Sequence, residues 1–172
     1  LGLEFEVKVV AGIDESYPAD MPAADVSQYI ACKKADAYEV GERDLVITAD
    51  TLVMAEGEIL GKPRDTADAR RMLRLLSGRR HQVTTGVCMV SAERRSCFSV
   101  TTDVAFKELS DEEIDYYIEH YRPFDKAGAY GIQEWIGYIG VTSLHGSYFN
   151  VMGLPVQRIY NELTSTFGVK FG

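Results

Sequence analysis

A carboxylate stands where an apolar run ought to continue. In Leu45-Val46-Ile47-Thr48-Ala49-Asp50-Thr51-Leu52-Val53, Asp50 and Thr51 interrupt what is otherwise a buried strand. A carboxylate in such a place costs several kcal/mol unless it is paired, hydrogen-bonded or bound to a metal. Further on, Leu60-Gly61-Lys62-Pro63 holds a lysine between two residues that shape the backbone. A strand-end acid with a fixed lysine suits metal-assisted attack on a phosphate. The acids and lysines open to such chemistry are Glu15, Asp50, Asp125, Lys34, Lys62 and Lys126. Carboxylate oxygens hold a hard cation such as Mg²⁺ or Mn²⁺, an acid acts as general base on water, and lysines neutralise a leaving pyrophosphate. The plainer reading stands beside this one: Asp50 begins a turn, and the lysines are solvated surface groups.

Other chemistries find less support. There is no G-x-S-x-G elbow, no G-x-x-x-x-G-K-[ST] phosphate loop and no G-x-G-x-x-G after a strand. Cys32 falls in a helical stretch and Cys88 in a strand, neither with an evident histidine partner. The three cysteines are an odd number without a C-x-x-C pair, which argues for free thiols in a reducing compartment and against a disulfide scaffold or zinc knuckle. The three histidines lack metal-ligand spacing.

Elements that would position these residues follow from periodicity. Leu3, Phe5, Val7 and Val9 alternate with polar residues and predict a half-buried strand. Residues 25–38 predict a helix, acidic at its start and basic later, from which Lys34 projects. Residues 45–49 predict a strand at the centre of a sheet covered on both faces, and 53–60 a hairpin turning at Glu56-Gly57. A helix over 66–76 has Asp65 or Thr66 as its cap and Ser77-Gly78 as its end. Two strands, 81–90 and 97–106, form a hairpin, and Ser110-Asp111-Glu112-Glu113 starts another helix. Residues 123–133 and 146–155 are glycine-bearing loops whose backbone comes close to something, the second leading into a helix over 156–163.

The whole is one domain of 172 residues, with interleaved strands and helices that predict an α/β or α+β mixed sheet. A formal net charge of -8 disfavours a nucleic-acid polymer or an anionic membrane surface as partner but leaves a nucleotide ligand open. No apolar run approaches the roughly 20 residues of a membrane span. The opening at Leu1, without Met and directly in a strand pattern, reads as a fragment lacking its N-terminus.

Five segments carry a resemblance: Ile47-Thr48-Ala49-Asp50-Thr51, Leu60-Gly61-Lys62-Pro63, Leu76-Ser77-Gly78-Arg79-Arg80-His81-Gln82-Val83, Asp125-Lys126-Ala127-Gly128-Ala129-Tyr130-Gly131-Ile132-Gln133 and Val151-Met152-Gly153-Leu154-Pro155. In this order, over nearly the whole chain, they resemble the Maf family of cytoplasmic nucleoside triphosphate pyrophosphatases. The resemblance implies an elongated α/β fold related to the inosine triphosphatases, a mixed sheet flanked by helices in two lobes with a central cleft. It implies hydrolysis of a nucleoside triphosphate to the monophosphate and pyrophosphate with Mg²⁺ or Mn²⁺, and often a homodimer. Asp50 matches the family's proton-accepting aspartate and Lys62 its G-K-P lysine. Glu15 and Lys34 match its early acid and helix lysine, with Glu15 and Asp50 as the implied metal ligands. Thr51 and Gln133 match positions tied to base choice and resemble the dTTP/UTP branch; a Gln amide both donates to and accepts from a pyrimidine edge. The family's opening S-x-S-P-R-R loop, whose arginines bind phosphates, is not among these residues.

Two other functions compete. One is a house-cleaning pyrophosphatase for non-standard purine triphosphates. The other is a non-catalytic nucleotide sensor regulating cell division through partners. The apolar Tyr148, Phe149 and Val151 are open equally to a dimer interface or a core.

Overall fold

The structure, a computed structural model, describes residues 1–171. In chain order its elements are α1 (Ala23–Asp36), β1 (Leu45–Ala55), β2 (Glu58–Leu60), α2 (Thr66–Leu76), β3 (Arg80–Ser91) and β4 (Arg95–Phe106). Then follow α3 (Asp111–Tyr121), a 3₁₀ turn (Ala127–Ala129), α4 (Trp135–Gly140), β5 (Val141–His145), α5 (Tyr148–Val151) and α6 (Val156–Ser165). The strands form one five-stranded sheet in the order β2-β1-β3-β4-β5, with β1/β2 and β4/β5 antiparallel. This α/β architecture agrees with the fold expected from the sequence.

Local chemistry explains most boundaries. Glu56 and Gly57 take positive φ (51° and 80°), the left-handed pair a two-residue hairpin needs, and the register Val53↔Leu60 and Ala55↔Glu58 follows from it. The Asp65 side chain accepts from the Asp68 amide at the start of α2. Ser110 and Glu113 form a reciprocal capping box on α3.

The chain divides into two compact units, residues 1–50, 85–100 and 154–172 in the first, 51–84 and 101–153 in the second. Three of the four breaks fall inside β1, β3 and β4, and the fourth lies between α5 and α6. In the first unit Val87, Met89, Phe98, Ile159 and Leu163 make the main core, with Ala31, Ala35 and Cys88 in a smaller cluster under α1. In the second, α2, α3 and α4 bury Leu73, Leu76, Ile114, Tyr117 and Ile136 with Val53, Val83, Val104 and Phe106 of the strands.

Three expectations are corrected. Residues 3–9 form no strand: Phe5, Val7 and Val9 are 86%, 76% and 86% exposed. Alternation makes a strand only where a neighbour accepts its backbone hydrogen bonds, and none of the described strands does so. Next, Asp50 and Thr51 do not end a strand, since β1 runs through them to Ala55. Last, β1 is not the central strand. That place belongs to β3, whose burial is nearly continuous from Val83 to Met89, while Ile47 of β1 is exposed. Nor does periodicity signal α4, β5 or α5, the last of which lies within residues 146–155, expected as a loop.

Candidate active site

In the first unit, the pairing of β1 with α1 sets the geometry. Thr48 Oγ1 donates to the Ala31 carbonyl at 2.7 Å, fixing strand against helix. Asp50 lies two residues along the strand, on the same face, and Lys34 three residues along the helix, also on the same face. These two steps bring Lys34 Nζ to 2.7 Å from Asp50 Oδ1. Such close approach of helix and strand depends on Gly86 of β3: a Cβ there would meet the Gln28 amide nitrogen at 2.2 Å and the Ser27 carbonyl carbon at 2.3 Å.

Glu15 reaches the same lysine from the other side. Its Oε1 lies 3.0 Å from Lys34 Nζ. The loop that presents it is pinned: Asp14 accepts from the Ser16 amide (2.9 Å) and hydroxyl (2.7 Å), and Lys33 donates to Asp14 Oδ2 (3.0 Å) and the Ser16 carbonyl (2.9 Å). Those bonds, the Ser16 hydroxyl's first, hold the Asp14 carboxyl down at about 2. Burial works against the Lys34 ammonium, but its bonds to Asp50 and then Glu15 outweigh it, and the pKa is raised. Lys34 is therefore a fixed cation shared by two carboxylates, with the Asp50 side chain 13% exposed. Burial of this kind makes the pairing matter far more than a surface ion pair.

The second unit holds the other predicted residues. The turn bearing Lys62 is tied down through the Gly61 carbonyl, which accepts from the Gly128 amide at 3.1 Å. Gly128 sits at φ 67° with Val53 pressed against it, so a Cβ there would lie 3.0 Å from Val53 Cγ2. Lys126 Nζ pairs with Asp125 Oδ1 (3.1 Å) and Glu134 Oε1 (3.3 Å). The Asp125 carboxyl is held below its usual range by the Lys126 bond first, with a smaller pull from Lys62. Gly131 leaves room for Lys126 and Gln133, since a Cβ would stand 2.9 Å from Lys126 Cε and 3.3 Å from Gln133 Oε1. Thr51 faces Gly153 of the second glycine loop, whose added Cβ would lie 3.5 Å from Thr51 Oγ1. Both loops thus bring backbone close to a predicted site residue, as their glycines implied.

Glu134 and Tyr117 escaped the sequence reading. The buried Tyr117 hydroxyl accepts from the Gly131 amide at 3.0 Å and donates to the Glu134 carboxylate, so it sets the loop and the acid that pairs with Lys126. The available signal was an acid just ahead of the apolar Trp135-Ile136, at the cap of α4.

Glu15 and Asp50 offer hard carboxylate oxygens around one cation. That donor set fits Mg²⁺ or Mn²⁺, which take one or two carboxylates together with substrate phosphates rather than an all-protein cage.

The family model described as Maf-like protein matches residues 1–166. A relative from Phocaeicola vulgatus, named dTTP/UTP pyrophosphatase, is 57% identical over 95% of this chain and 86% of its own length. Proteins of the same name from Bacteroides fragilis and Porphyromonas gingivalis are 53% and 54% identical, again over 95% of this chain, and over 86% and 84% of their own lengths.

Proposed function

As the chain belongs to the Maf family, we propose that it is a nucleoside triphosphate pyrophosphatase that cleaves dTTP or UTP to the monophosphate and pyrophosphate. The observation that carries the catalytic part of this reading is Lys34 held between Asp50 and Glu15. Water attacks phosphorus, the α–β anhydride bond breaks, and the attacking water gives up a proton. Asp50 accepts that proton; its Oδ1 is oriented by Lys34, which keeps the carboxylate ionised and aimed. Glu15 and Asp50 would hold a divalent cation, which when bound neutralises phosphate charge. Lys62, on its tethered turn, stabilises charge on the departing pyrophosphate. Thr51, against Gly153, and Gln133, beside Gly131, contact the base. The Gln133 amide both donates and accepts, which suits the mixed donor and acceptor edge of a pyrimidine, and the choice of pyrimidine follows the name of the relatives.

Among the described residues no helix is long and apolar enough to cross a membrane. A homodimer and a cytoplasmic location belong to this same reading. Exposed Tyr148 and Phe149 on α5 support the dimer.

The test is pyrophosphate release from a panel of nucleotides with Mg²⁺ or Mn²⁺, comparing the native protein with Asp50→Asn. The variant should lose about 10²- to 10⁴-fold in kcat, the usual contribution of a positioned general base. Equal rates would remove Asp50 from that role. Preference for 7-methyl-GTP or for a non-standard purine triphosphate would overturn the pyrimidine assignment. Tight nucleotide binding without any release would favour a sensor.

A further inference from the structure

The cysteines, dispersed in sequence, meet in space. Cys32 comes from α1, Cys88 from β3 and Cys97 from β4, all within the first unit. Cys97 Sγ lies 3.1 Å from Cys32 Sγ and 3.0 Å from Cys88 Sγ, and all three sulfurs fall within 4.8 Å of one another. All are free thiols. Among the described residues no other set of three or more cysteine, histidine or acidic side chains converges in this way. None of the three has a part in the hydrolysis described above.

Their surroundings define what they can hold. Ala31, Ala35 and Val90 line the cluster with hydrocarbon. Cys88 is fully buried, while Cys32 and Cys97 are half-buried and give an approach from solvent. Arg95, on the same strand as Cys97, donates to the Cys32 carbonyl at 3.3 Å and to Asp36 at 2.6 Å. Burial raises the pKa of the Cys88 and Cys32 thiols, while at Cys97 burial is outweighed by the hydrogen bonds from Cys88 and Cys32, and then Arg95, which lower it, so a bound ion would have to displace the protons of the other two. Three thiolates in an apolar setting, with no imidazole or carboxylate to complete a tetrahedron, are a soft trigonal donor set.

We propose that Cys32, Cys88 and Cys97 form a binding site for a soft monovalent metal ion of the Cu(I) class, coordinated by three thiolates. Thiolates select soft ions, whereas structural zinc takes a fourth protein ligand. Around an ion with metal–sulfur bonds of about 2.3 Å, three sulfurs in a plane stand about 4 Å apart. The close pairs at 3.0 and 3.1 Å would open by about 1 Å, a shift within the reach of side-chain rotation. Cys32 and Cys97 have the space for it, being half-buried. Arg95 offsets part of the negative charge that three thiolates leave around a monovalent ion.

The experiment is an anaerobic titration of the fully reduced chain with Cu(I) against a competing chelator, followed by thiol alkylation and X-ray absorption. One ion should bind per chain, all three cysteines should resist alkylation, and the absorption spectrum should show three sulfurs and no nitrogen or oxygen ligand. Cys97→Ser should lose one-to-one binding while still releasing pyrophosphate from its nucleotide, which separates this site from the active site. If that variant does not fold, Cys32→Ala is read the same way, and protection in the native protein stands as an independent measure. Free alkylation of all three thiols at saturating Cu(I) would overturn the proposal. So would an absorption spectrum with nitrogen or oxygen ligands, or with only two sulfurs, around the bound ion.

Discussion

Lys34 illustrates how much can depend on one side chain. It is a helix lysine of ordinary appearance, yet its ammonium is the common partner of Glu15 and Asp50 at 3.0 and 2.7 Å. Replacing it by methionine keeps the length of the chain and removes the charge. The two carboxylates then lose their shared cation, and the Asp50 carboxyl should protonate at higher pH than in the native protein. In the pH–rate profile of Lys34→Met, the acidic limb should therefore move toward neutral pH together with a fall in kcat. A limb that stays in place would show that Lys34 does not govern the ionisation of Asp50, the proposed general base. His81 is a second case of environment overriding type: buried between Phe106 and Tyr130, it donates or accepts at the Tyr130 hydroxyl, 2.6 Å away, and burial pushes its pKa down to about 4.

At the scale of elements, the site depends on how closely α1 approaches the sheet. Gly86 makes that approach possible, because any Cβ would drive into the backbone of Ser27 and Gln28. Backbone cannot step aside as a flexible side chain can, so Gly86→Ala should destabilise the protein by about 3 kcal/mol, as overpacking does. Urea unfolding measures the loss. Activity should fall further than stability alone accounts for, since the displaced helix carries Lys34 away from Asp50. A neutral Gly86→Ala would mean the helix has slack. Glycine also explains why α4 was hard to read: Trp135–Gly140 is six residues with two glycines, poor helical material by propensity. Gly137 is there because a side chain would strike the Ile132 carbonyl, at 1.8 Å from its Cβ.

Across the whole molecule, the buried neutral His81 ties stability to pH. Below pH about 6.5 the unfolded chain takes up a proton at this residue and the folded chain does not. Stability is therefore fully present above that pH and is lost as pH falls toward about 4, where the folded imidazole also titrates. The loss amounts to about 3 kcal/mol over that window. Thermal or urea unfolding between pH 7 and 4 should show the decline, and His81→Phe should flatten it whatever its effect at neutral pH. An NMR titration placing the His81 imidazole near 6.5 would remove this residue as the source of the decline.

What the sequence determined by itself was local. The Glu56-Gly57 hairpin, the Asp65 and Ser110 caps and the periodic helices α1, α2 and α3 follow from near neighbours in the chain, and all are found where expected. The candidates for phosphate chemistry were legible too, because an acid within an apolar strand and a lysine in a G-K-P turn are conspicuous wherever the chain folds, though their roles remain a proposal. Tertiary structure decided the rest. It denied residues 3–9 a partner strand, moved the central place in the sheet from β1 to β3, and recruited Tyr117 and Glu134 to the glycine loop. It also gathered three cysteines that spacing had left apart. Those outcomes depend on which distant segments meet, and a one-dimensional pattern states only which faces are available for meeting. Asp50 shows the division most clearly: its type and strand demanded a partner, and only the packing of α1 beside it supplied the cation that makes a carboxylate tolerable there.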